Sequence, residues 1–108
     1  SAPPLHQAKH YVEDDPDIST KVNGVFQFII KRGGGDWTID LTRGQPGRVV
    51  RARARNPNST LIYSSEEVFH RLNSNRTSVH KELLLGRFKV SGDLALLGKM
   101  QAVFKEAA

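Results

Sequence analysis

The chain has 108 residues, 38% hydrophobic and 25% charged, a composition typical of one ordinary globular domain. It contains no cysteine, which excludes disulfide bonds and zinc sites with thiolate ligands, and no apolar run reaches the ~20 residues that cross a bilayer. The formal net charge of +5 favours anionic partners such as nucleic acid, an acidic membrane surface or an acidic ligand.

The N-terminal segment predicts little regular structure. Residues 1–17 are expected to form a poorly ordered arm, and residues 18–108 the folded domain. Within the arm, Leu5–Val12 shows a weak helical pattern, which an acidic, proline-containing run then interrupts. Ile18–Val22 fits the end of a helix that Asn23-Gly24 closes, because both residues tolerate the left-handed conformation of a C-cap.

Two alternating segments follow and predict a β-hairpin. Val25–Lys31 is rich in aromatic and β-branched residues, and Asp36–Thr42 alternates apolar with polar side chains. The glycine run at residues 33–35 joins them. The faces predicted to be apolar carry Phe26, Phe28 and Ile30 on the first strand and Trp37, Ile39 and Leu41 on the second.

A third strand is predicted over Arg48–Arg55 and a fourth over Ser59–Tyr63. The alternation directs Val50, Ala52 and Ala54 inward, which leaves room in the core because these side chains are small. The outward arginines leave two interpretations open. They form a basic surface for nucleic acid or an acidic partner, or a solvated face that protects the sheet from edge pairing. Since this strand carries no aromatic side chains for base stacking, we expect no nucleic acid.

The remaining chain alternates as helix, helix, strand and helix, with the fifth strand at Arg87–Ser91. The last helix is apolar on about half of its circumference. Helix starts are predicted from the capping preferences of serine, threonine and aspartate. The predicted caps are Ser64 with Glu67, Thr77 or Ser78, and Asp93.

Side chains capable of catalysis or metal binding form no convincing pattern. The serines fall at caps and turns, and His70 and His80 have no partner fixed by the sequence. His6 and His10 have helical spacing, but they lie in a short segment near the terminus. The glycine run connects two strands rather than a strand and a helix, unlike a phosphate-binding loop. We therefore expect no catalytic residue, no metal and no cofactor.

The apolar residues allow two interpretations. They are sufficient for an ordinary filled core, but the small residues predicted inside the third strand and the apolar last helix favour a cavity. Apolar walls with one amide, Gln101, at the edge suit a lipid-like ligand.

Three stretches of the sequence resemble the sterol carrier protein 2 family: Val22–Phe28, Trp37–Leu41 and Leu85–Leu94. The third is the most specific, because it is similar to the glycine-containing signature that precedes the last helix in this family. Trp37–Leu41 and Lys99–Lys105 also resemble the carrier domain at the end of peroxisomal multifunctional enzymes.

The resemblance implies an α+β fold in which helices cover one face of a five-stranded, mainly antiparallel sheet, with an apolar tunnel between the two layers. It implies non-catalytic binding or intracellular transfer of fatty acids, fatty acyl-CoA, sterols or phospholipids. The net charge of +5 and the arginines of residues 48–55 add an acidic membrane surface as a further partner. Basic side chains are expected to receive the headgroup at the mouth. Carried over by position, the tunnel walls are Trp37, Ile39, Leu41, Phe69, Leu83, Phe88, Leu97, Met100, Gln101 and Phe104. The alternative function is a basic interaction module that uses the Arg48–Arg55 strand.

The sequence departs from the family pattern in three places, and these differences affect what we expect of the tunnel and of the location of the protein. Leu5–Val22 is shorter and more polar than the family's first helix, so one wall of the tunnel is expected to be missing or supplied by another chain. Leu85 replaces the usual serine before Gly86. The last residues do not form the peroxisomal tripeptide. We therefore expect an intracellular domain, cytoplasmic or peroxisomal, within a larger multidomain protein.

Overall fold

Residues 5–107, the part of the chain that the computed structural model describes, form five helices and five strands. Residues 1–4 of the predicted arm, and the side chains after Phe104, lie outside the description. The elements in chain order are α1 (Ala8–Asp14), α2 (Pro16–Val22), β1 (Gly24–Ile30), β2 (Gly35–Leu41), β3 (Arg48–Val50), β4 (Ser59–Tyr63), α3 (Glu66–Asn73), α4 (Val79–Leu84), β5 (Phe88–Gly92) and α5 (Leu94–Ala107).

The five described strands form one sheet in the order β3-β2-β1-β4-β5. β1 and β4 run parallel, whereas the other neighbouring strands are antiparallel. β1 and β2 form the predicted hairpin, whose turn places Gly33 and Gly35 at φ values of 101° and 85° that glycine adopts without steric cost. The predicted α+β fold with a mainly antiparallel sheet is confirmed.

The register collects the apolar side chains on one face of the sheet. Phe28 lies opposite Trp37 on β2 and Leu61 on β4, and Phe26 lies opposite Ile39. Because side chains directly opposite each other share a face, the alternating apolar residues of these strands form a continuous floor. Helices pack over this inner face, as the alternation of Trp37, Ile39 and Leu41 predicted.

The predicted third strand is wrong beyond Val50. The strand is only Arg48–Val50, and its inward residue is Val49, which is buried and pairs with Ile39. Residues 51–58 instead cross the outer face of the sheet. There the Thr38 hydroxyl donates to the Ala52 carbonyl at 2.8 Å, and the Ala54 amide donates to the Gln27 side chain. The parallel pairing of β1 with β4 requires such a crossover, so the alternating arginines do not form a strand face.

The N-terminal segment contributes to the core from residue 5 onward. Val12 on α1 is completely buried and contacts Gly47, and Leu5 is also buried. α1 ends at Asp15, whose carboxylate accepts from the Asp17 amide at 3.0 Å and begins α2. Over residues 5–17 the structure therefore differs from the predicted arm, because burial of these two side chains anchors the segment.

The helix ends use the predicted types of cap, with one shift. Asn23 adopts the left-handed conformation at the end of α2, as predicted. Ser78 and Asp93 begin α4 and α5 through side-chain oxygens that accept backbone amides. The capping box predicted at Ser64 is wrong, since Ser65 caps α3 by accepting from the Val68 amide at 3.1 Å. Ser64 still belongs to the sheet layer, where its amide donates to the Arg87 carbonyl.

Candidate functional site

A cavity of about 380 Å³ lies between the inner face of the sheet and helices α1, α3 and α5. Its volume falls in the range of small-molecule sites, roughly 300–1,000 Å³. The residues that line it are Leu5, Gln7, Ala8, Tyr11, Phe28, Ile39, Leu61, Tyr63, Phe69, Asn73, Met100, Gln101 and Phe104.

The floor and the walls of the cavity are mainly apolar. Phe28, Ile39 and Leu61 come from three neighbouring strands, because the register places them on one face of the sheet. Phe69 on α3 and Met100 on α5 cover this floor from the helical layer. An apolar lining of this kind binds aliphatic or aromatic groups through burial rather than through charge.

An aromatic cluster fixes one end of the cavity. The ring of Tyr63 packs edge-on against Phe69 at 5.0 Å between centroids, and it packs at an interplanar angle of 37° against Phe88 at 4.8 Å. Burial raises the pKa of the Tyr63 phenol, because the phenolate would lose its hydration. Tyr63 therefore remains an uncharged member of the wall throughout the physiological pH range.

Polar groups in the lining are amides and hydroxyls. Gln7, Asn73 and Gln101 bring side-chain amides to the cavity, and Gln101 is itself exposed at the surface. Among the described lining residues none carries a charge, so the basic headgroup site expected from the sequence does not lie in this wall. Amides can donate to a carboxylate or a hydroxyl, which suits a ligand with a small polar end.

Five of the ten side chains predicted to bind a ligand line the cavity: Ile39, Phe69, Met100, Gln101 and Phe104. Four others are buried beside it in the core without lining it: Trp37, Leu41, Phe88 and Leu97. Trp37 donates its indole N–H to the Gly34 carbonyl at 2.7 Å and lies under the Arg51 guanidinium at 5.4 Å. These contacts make Trp37 part of the hairpin end.

Leu83 does not belong to the cavity, contrary to the prediction. Its side chain is 43% exposed on α4, whose buried position is taken by Glu82. The carboxylate of Glu82 accepts from Arg87 at 2.6 and 2.9 Å and from the Thr77 hydroxyl at 2.6 Å. This fully hydrogen-bonded carboxylate turns the opposite side of the helix, with its leucines, toward solvent.

The site predicted from the sequence omits the strand residues Phe28, Leu61 and Tyr63, Asn73 on α3, and an entire wall. Phe28 lies on the predicted apolar face of β1, opposite Trp37, which is the one cross-strand neighbour that the prediction includes. Leu5, Ala8 and Tyr11 line the cavity from the N-terminal segment, which therefore supplies the wall that the sequence led us to expect missing. Their spacing of three residues is a helical stripe, and this signal could have found them.

The remaining chemistry-bearing groups are spread over the surface. His70 lies 3.5 Å from Glu66 on the exposed side of α3, and Ser65 and Ser78 are caps. Among the side chains that the structure describes, those of residues 5–104, no group of three or more His, Asp or Glu residues is placed to hold a metal ion. In the same range, no helix is both long and apolar enough to cross a membrane.

The sequence from residue 5 to residue 105 matches the model of the SCP-2 sterol transfer family. The chain belongs to this family. Because the match covers nearly the whole described chain, every wall of the cavity lies within the SCP-2 domain.

Known relatives agree with this assignment to the SCP-2 family. The chain is 32% identical over 95 residues to peroxisomal multifunctional enzyme type 2 from Mus musculus, with 85% of this chain and 13% of that protein covered. The chain thus spans about an eighth of the length of this curated relative, in which a domain like it is one part.

Two solved structures are similar over most of the SCP-2 domain. The sterol carrier protein domain 2 of Helicoverpa armigera has a TM-score of 0.71 and 23% identity, with 97% of this chain and 88% of that chain covered. Palmitated SCP2L2 from Aedes aegypti has a TM-score of 0.68 and 28% identity, with 93% and 89% covered. The former shows the fold alone, while the latter is a palmitated protein.

Proposed function

We propose that this domain binds a long-chain lipid in the cavity and carries it without chemical change. The observation that carries the proposal is a mainly apolar cavity of about 380 Å³, partly open to solvent, between the sheet and three helices in a chain of the SCP-2 family. The palmitate of the Aedes aegypti relative supports a fatty acid as the ligand class. A single acyl chain also suits a volume near the lower end of the usual range.

The driving force of binding would be burial of methylene groups. Each buried methylene contributes about 0.8 kcal/mol, which corresponds to roughly a fourfold change in Kd. In a series of saturated fatty acids, Kd is expected to fall by about this factor per methylene until the cavity is full, and then to level off. Since the described lining carries no charge, affinity is expected to change little with salt concentration.

The ligand is oriented by the polar part of the lining. We place the acyl chain along Phe28, Ile39 and Met100, and the carboxylate or thioester end near the Gln101 amide at the surface. Fatty acyl-CoA fits the same arrangement, because its large polar part would remain outside the mouth. Sterols and phospholipids are alternative ligands. Direct competition of each lipid against palmitate ranks their affinities.

Replacement of Met100 by tryptophan tests the site directly. Met100 is buried on α5 and faces the cavity, so the larger side chain is expected to fill it and weaken palmitate binding by at least tenfold. Ala102→Trp adds the same ring to an exposed position of the same helix and is the matched control. Kd is measured by titration with an environment-sensitive fluorescent fatty acid and by native mass spectrometry with palmitate.

Equal palmitate affinity in both variants, with circular dichroism unchanged, would exclude this cavity as the site. Leu97→Trp is a less suitable variant, because Leu97 is buried in the core without lining the cavity and a larger ring there would strain the packing.

The same proposal includes the setting of the protein. We infer a non-catalytic domain that works inside cells, in the cytoplasm or the peroxisome, and that belongs to a larger multidomain protein. Similarity to one part of a peroxisomal multifunctional enzyme supports this. Transfer between membranes further requires contact with a lipid surface, and an acidic membrane is the partner that the net charge of +5 favours.

A further inference from the structure

Helix α4 carries an exposed apolar surface that the cavity does not explain. Leu84 and Leu85 are 75% and 55% exposed, and Leu83 and Val79 are both more than 40% exposed. We call these four residues the leucine patch. Leu84 is the central residue of this surface, with Leu83 and Leu85 on either side of it at about 100° per residue around the helix. Several exposed apolar side chains on one short helix exceed the singly scattered ones that are normal on a surface, and such groups typically mark an interaction surface.

A buried cluster of hydrogen-bonded polar side chains holds the leucine patch toward solvent. Glu82 is fully buried on the side of α4 that lies opposite Leu84, and Arg87 and Thr77 satisfy its carboxylate there. In addition, the Arg87 amide donates to the Glu82 carbonyl at 2.9 Å, which ties the end of α4 to the start of β5. A short helix that buries its carboxylate and exposes its leucines gains nothing from that exposure in the isolated monomer, so the patch serves an external contact.

The charges around the leucine patch are mostly positive. From residue 76 to residue 92 the sequence has four Arg and Lys residues and a single carboxylate, which is the buried Glu82. Lys81 lies three and four positions before Leu84 and Leu85, so it is a neighbour of both on this surface. Beside Arg87, a surface pocket brings together Arg32 and Arg71 with the carboxylate of Glu67, again with an excess of positive charge.

We propose that the leucine patch docks onto an anionic lipid bilayer, with its leucines in the interface and its cations against lipid phosphates and carboxylates. Leucine side chains flanked by Lys and Arg are the combination that binds acidic membrane surfaces. A second copy of the chain is disfavoured as the occupant, since a two-fold contact would oppose Lys81 and Arg87 with their own equivalents. Three leucines and a valine are also few for a stable protein interface of roughly 800 Å² per partner.

This docking goes beyond ligand binding in the cavity and is tested separately from it. Leu84→Trp places a fluorophore in the leucine patch, and Ala102→Trp places one on exposed α5; the native chain adds a single tryptophan, Trp37, which is buried. With vesicles of phosphatidylcholine and phosphatidylserine, emission of the Leu84→Trp variant is expected to shift to shorter wavelength, while that of Ala102→Trp is unchanged. A shift only in Ala102→Trp would mean that another face docks and would overturn the proposal.

Vesicle co-sedimentation yields partition coefficients, which measure how strongly each variant binds to vesicles. Replacement of both Leu84 and Leu85 by serine is expected to weaken binding by roughly tenfold or more, and Lys81→Ala by about fivefold. Equal binding to pure phosphatidylcholine vesicles would overturn the role of charge. Equal binding of the double serine variant would overturn the role of the leucines.

Two further controls separate the possible failures. Met100→Trp is expected to dock normally while losing palmitate, so loss of either property alone identifies which proposal has failed. A different result would assign the patch to self-association. If the wild-type protein is a dimer by sedimentation velocity and does not bind vesicles, and the double serine variant is a monomer, the patch is a contact between copies and the membrane proposal is wrong.

Discussion

Helices α3 and α4 begin with the same type of serine cap, but α3 buries apolar side chains and α4 buries a carboxylate. Ser65 and Ser78 each accept the amide three residues ahead at 3.1 Å, and the helices contact the neighbouring strands β4 and β5 respectively. α3 buries Val68 and Phe69 and exposes Glu67, whereas α4 buries Glu82. The comparison teaches that one fully satisfied carboxylate can set the orientation of a short helix against the preference of three leucines.

The two helices should respond very differently to loss of an apolar side chain. Phe69→Ala on α3 is expected to lower the free energy of unfolding by about 3 kcal/mol or more, because a buried aromatic ring is removed from the core. Leu84→Ala on α4 should change it by less than about 0.5 kcal/mol, since the side chain is exposed. Urea unfolding followed by circular dichroism measures both, and a large cost for Leu84→Ala would contradict the orientation of α4.

Removal of the buried carboxylate should affect α4 strongly and in a pH-dependent way. Hydrogen bonds from Arg87 and Thr77 lower the pKa of Glu82 from its ordinary 4.5 to about 2. A lowered carboxyl pKa contributes stability that is fully present above about pH 4.5 and is lost as the pH falls toward 2. Glu82→Gln is therefore expected to be destabilising at neutral pH, and its difference from the wild type should shrink as the solution is acidified.

The control for this experiment is Glu67→Gln on α3. The Glu67 side chain is 80% exposed and reaches Arg71 only at 3.9 Å, so its replacement should cost less than about 0.5 kcal/mol. If Glu82→Gln behaved like Glu67→Gln at every pH, the polar cluster would not be what holds α4.

The helix caps give the smallest expected difference. Ser65→Ala and Ser78→Ala each remove one acceptor from a helix start and should cost about 1 kcal/mol. Hydrogen exchange separates them. Ser78→Ala is expected to speed exchange at the α4 amides while those of α3 keep their protection, because α4 packs mainly against β5. Equal loss of protection in both helices would show that they open together.

The sequence predicted the parts of this fold that local pattern determines. The β1–β2 hairpin and its apolar face follow from β-forming residues in β1, alternation in β2 and a glycine turn between them, and Asn23 and Asp93 mark helix ends by their own chemistry. Residues 51–55 also alternate, yet they bend across the outer face of the sheet, because the parallel pairing of β4 with β1 imposes a crossover. No local sequence pattern predicts that pairing of strands.

The candidate site was predicted in part for a similar reason. Ile39, Phe69 and Met100 lie on apolar stripes whose periodicity is visible in the sequence, and they line the cavity. Leu83 was placed there by position in the family pattern, but the contact of Glu82 with Arg87 rotates α4 away. That contact joins two elements across a turn, and helical periodicity does not report it. Whether the lining residues bind a ligand stays a prediction.

The position of β1 in the middle of the sheet has a consequence for biosynthesis. One edge of this strand is covered by β2 as soon as the hairpin forms, but the other waits for β4, which is made only after β3 and the crossover segment. At translation rates of about 5–20 residues per second, the nascent chain presents the unpaired backbone edge of an apolar strand to its surroundings for a few seconds. During that interval Gly24–Ile30 is the stretch most prone to aggregation with other chains, and the stretch that a ribosome-associated chaperone would need to protect.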